Sequence, residues 1–295
     1  MNNVWSRFVQ TSEELYRSRA LRFNDANKDI WLRALHAESG MNILEIGCGG
    51  GIFCHRIKTY LPNTRVTGLD FDTGHIEYAK AKSKELGIGC EFINGDATDL
   101  PFAENTFDLC FSHTVIEHIP TEKFLSEQYR VLKPNGRIVV LSVRTKMGLS
   151  DDNSFLTAPE EKELFEKAWS KAGDFDKENN IGAYELKEYD FPAVLERAGF
   201  YDVNVDFITV SSFCPDNANI SDETAAEQIE TNRLHTLTSV EKALRIAPDG
   251  LSESEKSKLY DLINKRYDKR IEQYKNGEKQ WDFTAAVTLV ASGRK

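Results

Sequence analysis

The segment Ile43-Leu44-Glu45-Ile46-Gly47-Cys48-Gly49-Gly50-Gly51 sets an acidic residue just ahead of closely spaced glycines. Glycine lets a chain turn sharply and lets a ligand approach the backbone. A helix that opens after such a turn presents unpaired N–H groups. A nucleotide-type cofactor is the usual occupant of this arrangement, and spacing narrows its identity. A dinucleotide fingerprint, G-x-G-x-x-G, would place a third glycine where Ile52 stands. A phosphate-cradling G-x-x-x-x-G-K-[ST] loop needs a lysine that does not follow here. What remains is an acid followed by G-x-G-x-G. That pattern suits a cofactor without phosphates, whose ammonium a carboxylate such as Glu45 can hold.

Other motifs follow in order: Gly68-Leu69-Asp70, Gly95-Asp96-Ala97, Phe107-Asp108-Leu109-Cys110-Phe111-Ser112-His113, Val115-Ile116-Glu117-His118-Ile119, and Arg130-Val131-Leu132-Lys133-Pro134-Asn135-Gly136. With the glycine loop, this ordered set resembles the class I S-adenosylmethionine-dependent methyltransferases of the broad small-molecule type. The resemblance is strong over 40–145 and moderate over 187–210. It implies S-adenosyl-L-methionine as cofactor and S-adenosyl-L-homocysteine as product. By the same resemblance Glu45, Gly47, Cys48, Gly49 and Gly51 form the cofactor loop. Asp70 takes both ribose hydroxyls, which suits a carboxylate with two acceptor oxygens. Phe71 lies beside it. Gly95, Asp96 and Ala97 meet the adenine, Asp96 at the amino group and the Ala97 amide at a ring nitrogen. Ser112 and His113 border the cofactor, and Arg19 reaches its carboxylate.

The implied chemistry is in-line displacement of a methyl group from a sulfonium by an O, N or C nucleophile of a small-molecule acceptor. It depends chiefly on bringing nucleophile and methyl together. A base is needed only if the nucleophile carries a proton, and His113 is the candidate catalytic residue. Tyr16, Arg144 and Tyr184 are candidates for the acceptor pocket. Alternatives are a methyltransferase acting on nucleic acid or protein, and a non-catalytic S-adenosylmethionine-binding regulatory module. The nucleic-acid form lacks an Asn/Asp-Pro-Pro-Tyr/Phe motif and a Pro-Cys nucleophile. A nicotinamide oxidoreductase is disfavoured by the glycine spacing. His113 to His118 reads H-x-x-x-E-H, which matches neither zinc-protease spacing, and no metal is expected.

The elements that must position these residues alternate. Short apolar runs at 41–46, 65–69, 90–93, 107–112 and 137–143 read as strands buried on both faces. Between them, 52–61, 74–86 and 121–132 carry helical spacing. The turn Lys133-Pro134-Asn135-Gly136 launches the fifth strand. A helix over 191–198 stopped at Gly199 and strands at 203–210 and 283–291 complete the pattern. The fold class expected is α/β: a Rossmann-like, doubly wound, seven-stranded sheet, mostly parallel with an antiparallel last strand, and with helical insertions at the carboxyl edge.

Within one domain of 1–295, residues 1–40 read as an N-terminal helical cap, with a basic cluster at Arg17, Arg19 and Arg22. Residues 41–144 read as the cofactor-binding core. The insertions 145–186 and 211–280 should roof the site as acceptor pocket and lid. Phe155, Leu164, Phe165 and Trp169 mark the buried side of the first insertion. Leu259, Ile263, Tyr267 and Ile271 mark one helical face of the second.

Composition bounds the partners. The chain has 295 residues, 37 Lys+Arg against 47 Asp+Glu, a net charge of −10 and 40% hydrophobic residues. That supports a sizeable core and weighs against a phosphate-gripping surface. No apolar run reaches the length of a membrane helix, and no secretion signal opens the chain. Its 5 cysteines, without a CxxC pair, read as free thiols in a reducing compartment, the cytoplasm.

Overall fold

In a computed structural model that describes residues 5–151, 157–173 and 175–295, the apolar runs become the strands of one sheet. After a π-helical turn at Trp5–Val9 come α1 (Ser12–Ala20) and α2 (Lys28–Leu35). The core then runs β1 (Asn42–Ile46), α3 (Ile52–Tyr60), β2 (Arg65–Asp70), α4 (Thr73–Leu86), β3 (Glu91–Asn94), β4 (Phe107–His113), α5 (Thr121–Val131) and β5 (Leu132–Val143). A short β6 (Leu149–Asp151) precedes α6 (Pro159–Ser170), α7 (Phe175–Glu178), α8 (Asp190–Arg197) and β7 (Tyr201–Phe213). Two long helices, α9 (Asp222–Ile246) and α10 (Glu253–Lys275), lead to β8 (Phe283–Arg294).

The strand order is β3-β2-β1-β4-β5-β8, with β7 on the far side of β8. The pairs β2–β3, β1–β2, β1–β4 and β4–β5 are parallel. β8 runs antiparallel to both β5 and β7, so the expected mostly parallel sheet with an antiparallel last strand is present. β6 adds to it. It pairs with the start of β8 beyond the end of β5, so the segment read as helix-leaning begins by extending the sheet. The turn before the fifth strand lies inside β5, as an irregularity where Phe107 faces Leu132 and Leu109 faces Arg137.

Burial on both faces follows from alternation. Ile43, Leu109, Phe111, Val139 and Leu141 point to one face, against Ile52, Phe53 and Ile57 of α3, Ala79 of α4 and Trp31 of α2. Leu44, Ile46, Cys110, Ile138 and Val140 point to the other, against Phe124 and Leu125 of α5 and Phe191 and Leu195 of α8. Successive strand residues face opposite ways, and helices cover both sides, so consecutive positions of the central strands are mostly apolar.

A third apolar cluster joins the two insertions. Ala168 of α6, Ile229, Val240 and Ala243 of α9, and Leu259, Ile263 and Tyr267 of α10 are buried together, with Leu164, Phe165, Trp169 and Ile271 partly buried beside them. Phe155 lies outside the described residues. Arg266 of α10 pairs with buried Glu161 of α6 at 2.9 Å. Because β7 runs parallel to β5, both end at the carboxyl edge, and α9 starts there. It packs on α1, where His235 and Thr238 reach Glu14 at 2.7 and 2.8 Å. Among the described residues, no helix is long and apolar enough to cross a membrane.

Candidate active site

β1 ends in Glu45 and Ile46, and the chain then reverses over the end of β2. The Gly47 and Cys48 amides donate to Leu69 O at 2.7 and 3.0 Å. Gly47, Gly49 and Gly51 have φ of +70°, +53° and +84°, the left-handed region that favours glycine. Space is as restrictive as angle. A Cβ on Gly47 would overlap Val115, and one on Gly49 would overlap Leu15 of α1. Gly51 is the residue from which α3 starts, and its Cβ would overlap Phe92.

The end of β2 supports this loop. Asp70 accepts from the Gly49 amide through Oδ2 at 2.8 Å and from the Asp72 amide through Oδ1 at 2.9 Å. Asp72 in turn caps α4 at the Gly74 and His75 amides and accepts from the amide and hydroxyl of Ser6. One short acidic segment therefore ties the glycine loop, a helix start and the N-terminal cap together. Asn94 donates to Asp70 O and Phe71 O, holding β3 against the same corner. Exposed Asp96 accepts from the amide and hydroxyl of Thr98 through Oδ1, which leaves its second oxygen toward solvent.

These residues converge on a cavity of about 470 Å³ at the carboxyl edge. Glu45, Gly47, Cys48, Gly49, Asp70, Phe71, Gly95, Asp96, Ala97, His113 and Arg19 all line it. Two of the expected cofactor residues do not. Gly51 sits behind the loop as the start of α3, and Ser112 is fully buried in β4 with its Oγ lacking a partner among the described residues. The acceptor-pocket candidates are also absent from this wall. Tyr16 turns its hydroxyl to His55 Nδ1 at 3.2 Å. Arg144 is buried, donating to Leu186 O at 2.9 Å and Ser142 Oγ at 2.7 Å, with Glu188 and Glu117 nearby. Tyr184 is 40% exposed, and its amide donates to Glu117 O.

Electrostatics inside the cavity follow from burial. Glu45 is 2% exposed and accepts from the Cys54 amide and thiol. Burial pushes its carboxyl up to about 8, against the help of those hydrogen bonds. His113 stacks among Trp31 and Phe53, with ring centroids at 5.7 and 5.1 Å. Burial, then Arg19 and Arg22, holds it well below the ordinary histidine range, so the ring is neutral. Its Nε2 has no partner among the described residues. Burial also keeps the Cys48 thiol protonated, its pKa well above normal.

Several lining residues were not among the expected site residues. Trp5, Gln10 and Leu15 come from the N-terminal segment, and Val115, His118 and Lys123 from the stretch after β4. Trp5 stands edge-on to the His118 ring at 4.6 Å, and the Gly182 amide donates to His118 Nδ1 at 2.8 Å. The available signal was the apolar Trp5 in an amphipathic start and the unusual His-Thr-Val-Ile-Glu-His run. Among the described residues, no group of three or more His, Cys, Asp or Glu is placed to hold a metal ion.

Comparison with known proteins gives the same direction. A family model described as a methyltransferase domain matches residues 44–140. A demethylmenaquinone methyltransferase of Lactococcus lactis is 31% identical over 196 residues, covering 59% of this chain and 73% of the relative. One from Listeria welshimeri is 31% identical over 113 residues, 37% of this chain, which spans 48% of that relative's length. In fold, the chain is similar to phosphoethanolamine N-methyltransferase 2 of Haemonchus contortus, solved with phosphomonomethylethanolamine and S-adenosylhomocysteine. The TM-score is 0.55 at 17% identity, over 99% of this chain and 59% of that one.

Proposed function

The chain belongs to the class I S-adenosylmethionine-dependent methyltransferases, and from that premise we propose that the cavity at the carboxyl edge binds the cofactor beside a small-molecule acceptor. The observation that supports this most is the convergence of Glu45, Asp70, Asp96 and the glycine loop on one cavity. The donor set fits the cofactor. Glu45 is a buried carboxylate for an ammonium, and that cation would stabilise its ionised form. Asp70 uses one lone pair on each oxygen for a loop amide, which leaves capacity on both for ribose hydroxyls. Asp96 and the Ala97 amide suit the adenine edge, and Phe71, 53% exposed, offers an aromatic face at the mouth. Arg19 suits the carboxylate. Gly47, Cys48 and Gly49 bring the backbone close, and Gly51 shapes the turn.

Bound S-adenosylmethionine supplies an electrophilic methyl group on a sulfonium. An acceptor's O, N or C lone pair would displace that methyl in line, the carbon–sulfur bond's electron pair staying on sulfur. Any proton on the nucleophile departs to water or a neighbouring base. The chain's contribution is alignment and exclusion of water. His113 is neutral and lines the cavity. Its Nε2 is buried, so accepting a hydrogen bond from the nucleophile through it requires the ring to turn. Arg19 and Arg22 oppose a full proton on the ring. The acceptor is a small molecule reached through a pocket bounded by the cap 1–40 and the core 41–144, with the insertion 211–280 walling the adjoining cavity and no described residue of the insertion 145–186 lining either one, all within one domain of 1–295.

Titration calorimetry with S-adenosylmethionine, S-adenosylhomocysteine, NAD and NADP tests the reading. Binding of the first two with no nicotinamide binding is expected. Tight NAD binding without either sulfur ligand would overturn it.

A further inference from the structure

Next to the cofactor cavity lies a second one, also about 470 Å³, between α1, the start of β8, and helices α9 and α10. Gln10 and Arg19 line both, so the two spaces meet at these side chains. The wall of the second is opposite in sign to the chain, which carries −10 overall. Arg19, Arg22, Arg266 and Arg270 line it, and Asp282 is the one carboxylate among its described lining residues.

Two of these arginines are neutralised locally. Arg266 pairs with Glu161, and Arg270 pairs with Asp216 and Asp282 at 2.8 and 2.9 Å. Arg19 and Arg22 are different. Among the described residues, Arg19 donates from Nη1 to Ser18 Oγ at 3.1 Å, and Arg22 Nε is buried without a partner. Burial pushes the Arg19 guanidinium down to about 9 and Arg22 down as well. The nearest acid on the same helix, Glu14, already spends its oxygens on His235, Thr238 and Gln10. A guanidinium taken from water without a counter-charge is costly, and its fork of donors matches a carboxylate or a phosphate.

We propose that this second cavity is the subsite for an anionic group of the acceptor, a carboxylate or a phosphate, held chiefly by Arg22. The inference rests on the first cavity being the cofactor site. Arg19 stands at the junction, with donors for the cofactor carboxylate on one side and for the acceptor's anion on the other. An acceptor anchored there directs its nucleophile past Arg19 toward His113, and a neutral analogue lacks the anchor.

The test titrates inorganic phosphate and acetate, separately, into protein saturated with S-adenosylhomocysteine. At least one anion is expected to bind the wild type, and the tighter of the two identifies the acceptor's group. Arg22→Gln should weaken that binding about tenfold, the loss of one charge-assisted hydrogen bond, with S-adenosylhomocysteine affinity unchanged. Asn232→Asp, a near-isosteric change on α9 that adds a negative charge to the same wall, should weaken it too and keeps the test readable if Arg22→Gln does not fold. Wild type that takes up S-adenosylhomocysteine but neither anion would overturn the inference and leave the cofactor reading intact. So would anion affinity unmoved by both variants. Absent S-adenosylhomocysteine binding would instead sink the cofactor reading.

Discussion

Asp70 Oδ2 accepts the Gly49 amide at 2.8 Å. The carboxylate assigned to the cofactor's ribose is thus also a strut of the loop that approaches the rest of the cofactor. Binding and loop shape are coupled through one side chain, and its other oxygen extends the coupling to Asp72 and the start of α4.

Asp70→Asn keeps the shape and one acceptor oxygen but removes the charge. S-adenosylhomocysteine affinity should fall by about 1–3 kcal/mol, the range for hydrogen bonds to a charged group. Burial raises the Asp70 pKa, so the charge itself does not stabilise the free fold, but one of the two backbone amides loses its acceptor, and the ligand-free protein should melt lower for that reason. Calorimetry and thermal melts check the two effects separately. Unchanged affinity with a lowered melt would assign Asp70 to the loop alone.

Glu45 makes cofactor binding pH-dependent. Its carboxyl is pushed up to about 8 by burial, so in the free protein it is largely protonated at pH 6.5 and largely ionised by pH 9. A ligand ammonium favours the ionised form, so affinity for S-adenosylhomocysteine should rise as pH climbs from 6.5 to 8.5. The linkage on stability has the opposite sign. A raised folded-state pKa contributes stability that is full below the unfolded value and lost as pH rises through about 8. Glu45→Gln can still accept from Cys54, and it should flatten both trends. Isothermal titrations and melts across that pH range decide this, and a wild-type affinity flat with pH would count against the ammonium contact.

Much of this architecture was legible because it rests on local pattern. The strands at 41–46 and 107–112 are apolar at most positions on both faces because helices cover both sides, with Asn42, Glu45, Asp108 and Ser112 as the polar exceptions. The glycines that support positive φ are the ones the loop needs. The N-terminal segment was expected as a cap, but which of its residues face the cavity was not legible, since Trp5, Gln10 and Leu15 matter only once that segment folds back over Gly49 and the His118 ring. Arg144 shows the converse. Its place after β5 suggested a pocket residue, but a carbonyl far along the chain, Leu186 O, and buried Glu117 draw it into the structure beneath. Tyr16 likewise spends its hydroxyl on His55. Long-range partners of polar side chains leave no periodic trace, and those partners decide whether a residue faces ligand or protein.

The same kind of long-range contact fixes the cap. Glu14 of α1 is 5% exposed and accepts from His235 at 2.7 Å, Thr238 at 2.8 Å and Gln10 at 2.9 Å. Burial alone would raise its pKa. The hydrogen bonds from His235, then Thr238, outweigh that and hold it below the usual glutamate value. A depressed folded-state pKa contributes stability that is present above the unfolded value near 4.5 and lost as pH falls through the folded one. Glu14→Gln should therefore cost about 1–3 kcal/mol at pH 7, the scale of hydrogen bonds to a charged group, and the deficit should shrink as pH drops below about 4.5. Because α1 also carries Leu15 against Gly49 and Arg19 into both cavities, cofactor affinity should fall with it. Denaturant titrations at pH 7 and at pH 4 give the stability difference. An equal deficit at both pH values would mean that Glu14 acts by packing, and that its charge does not hold α1 to α9.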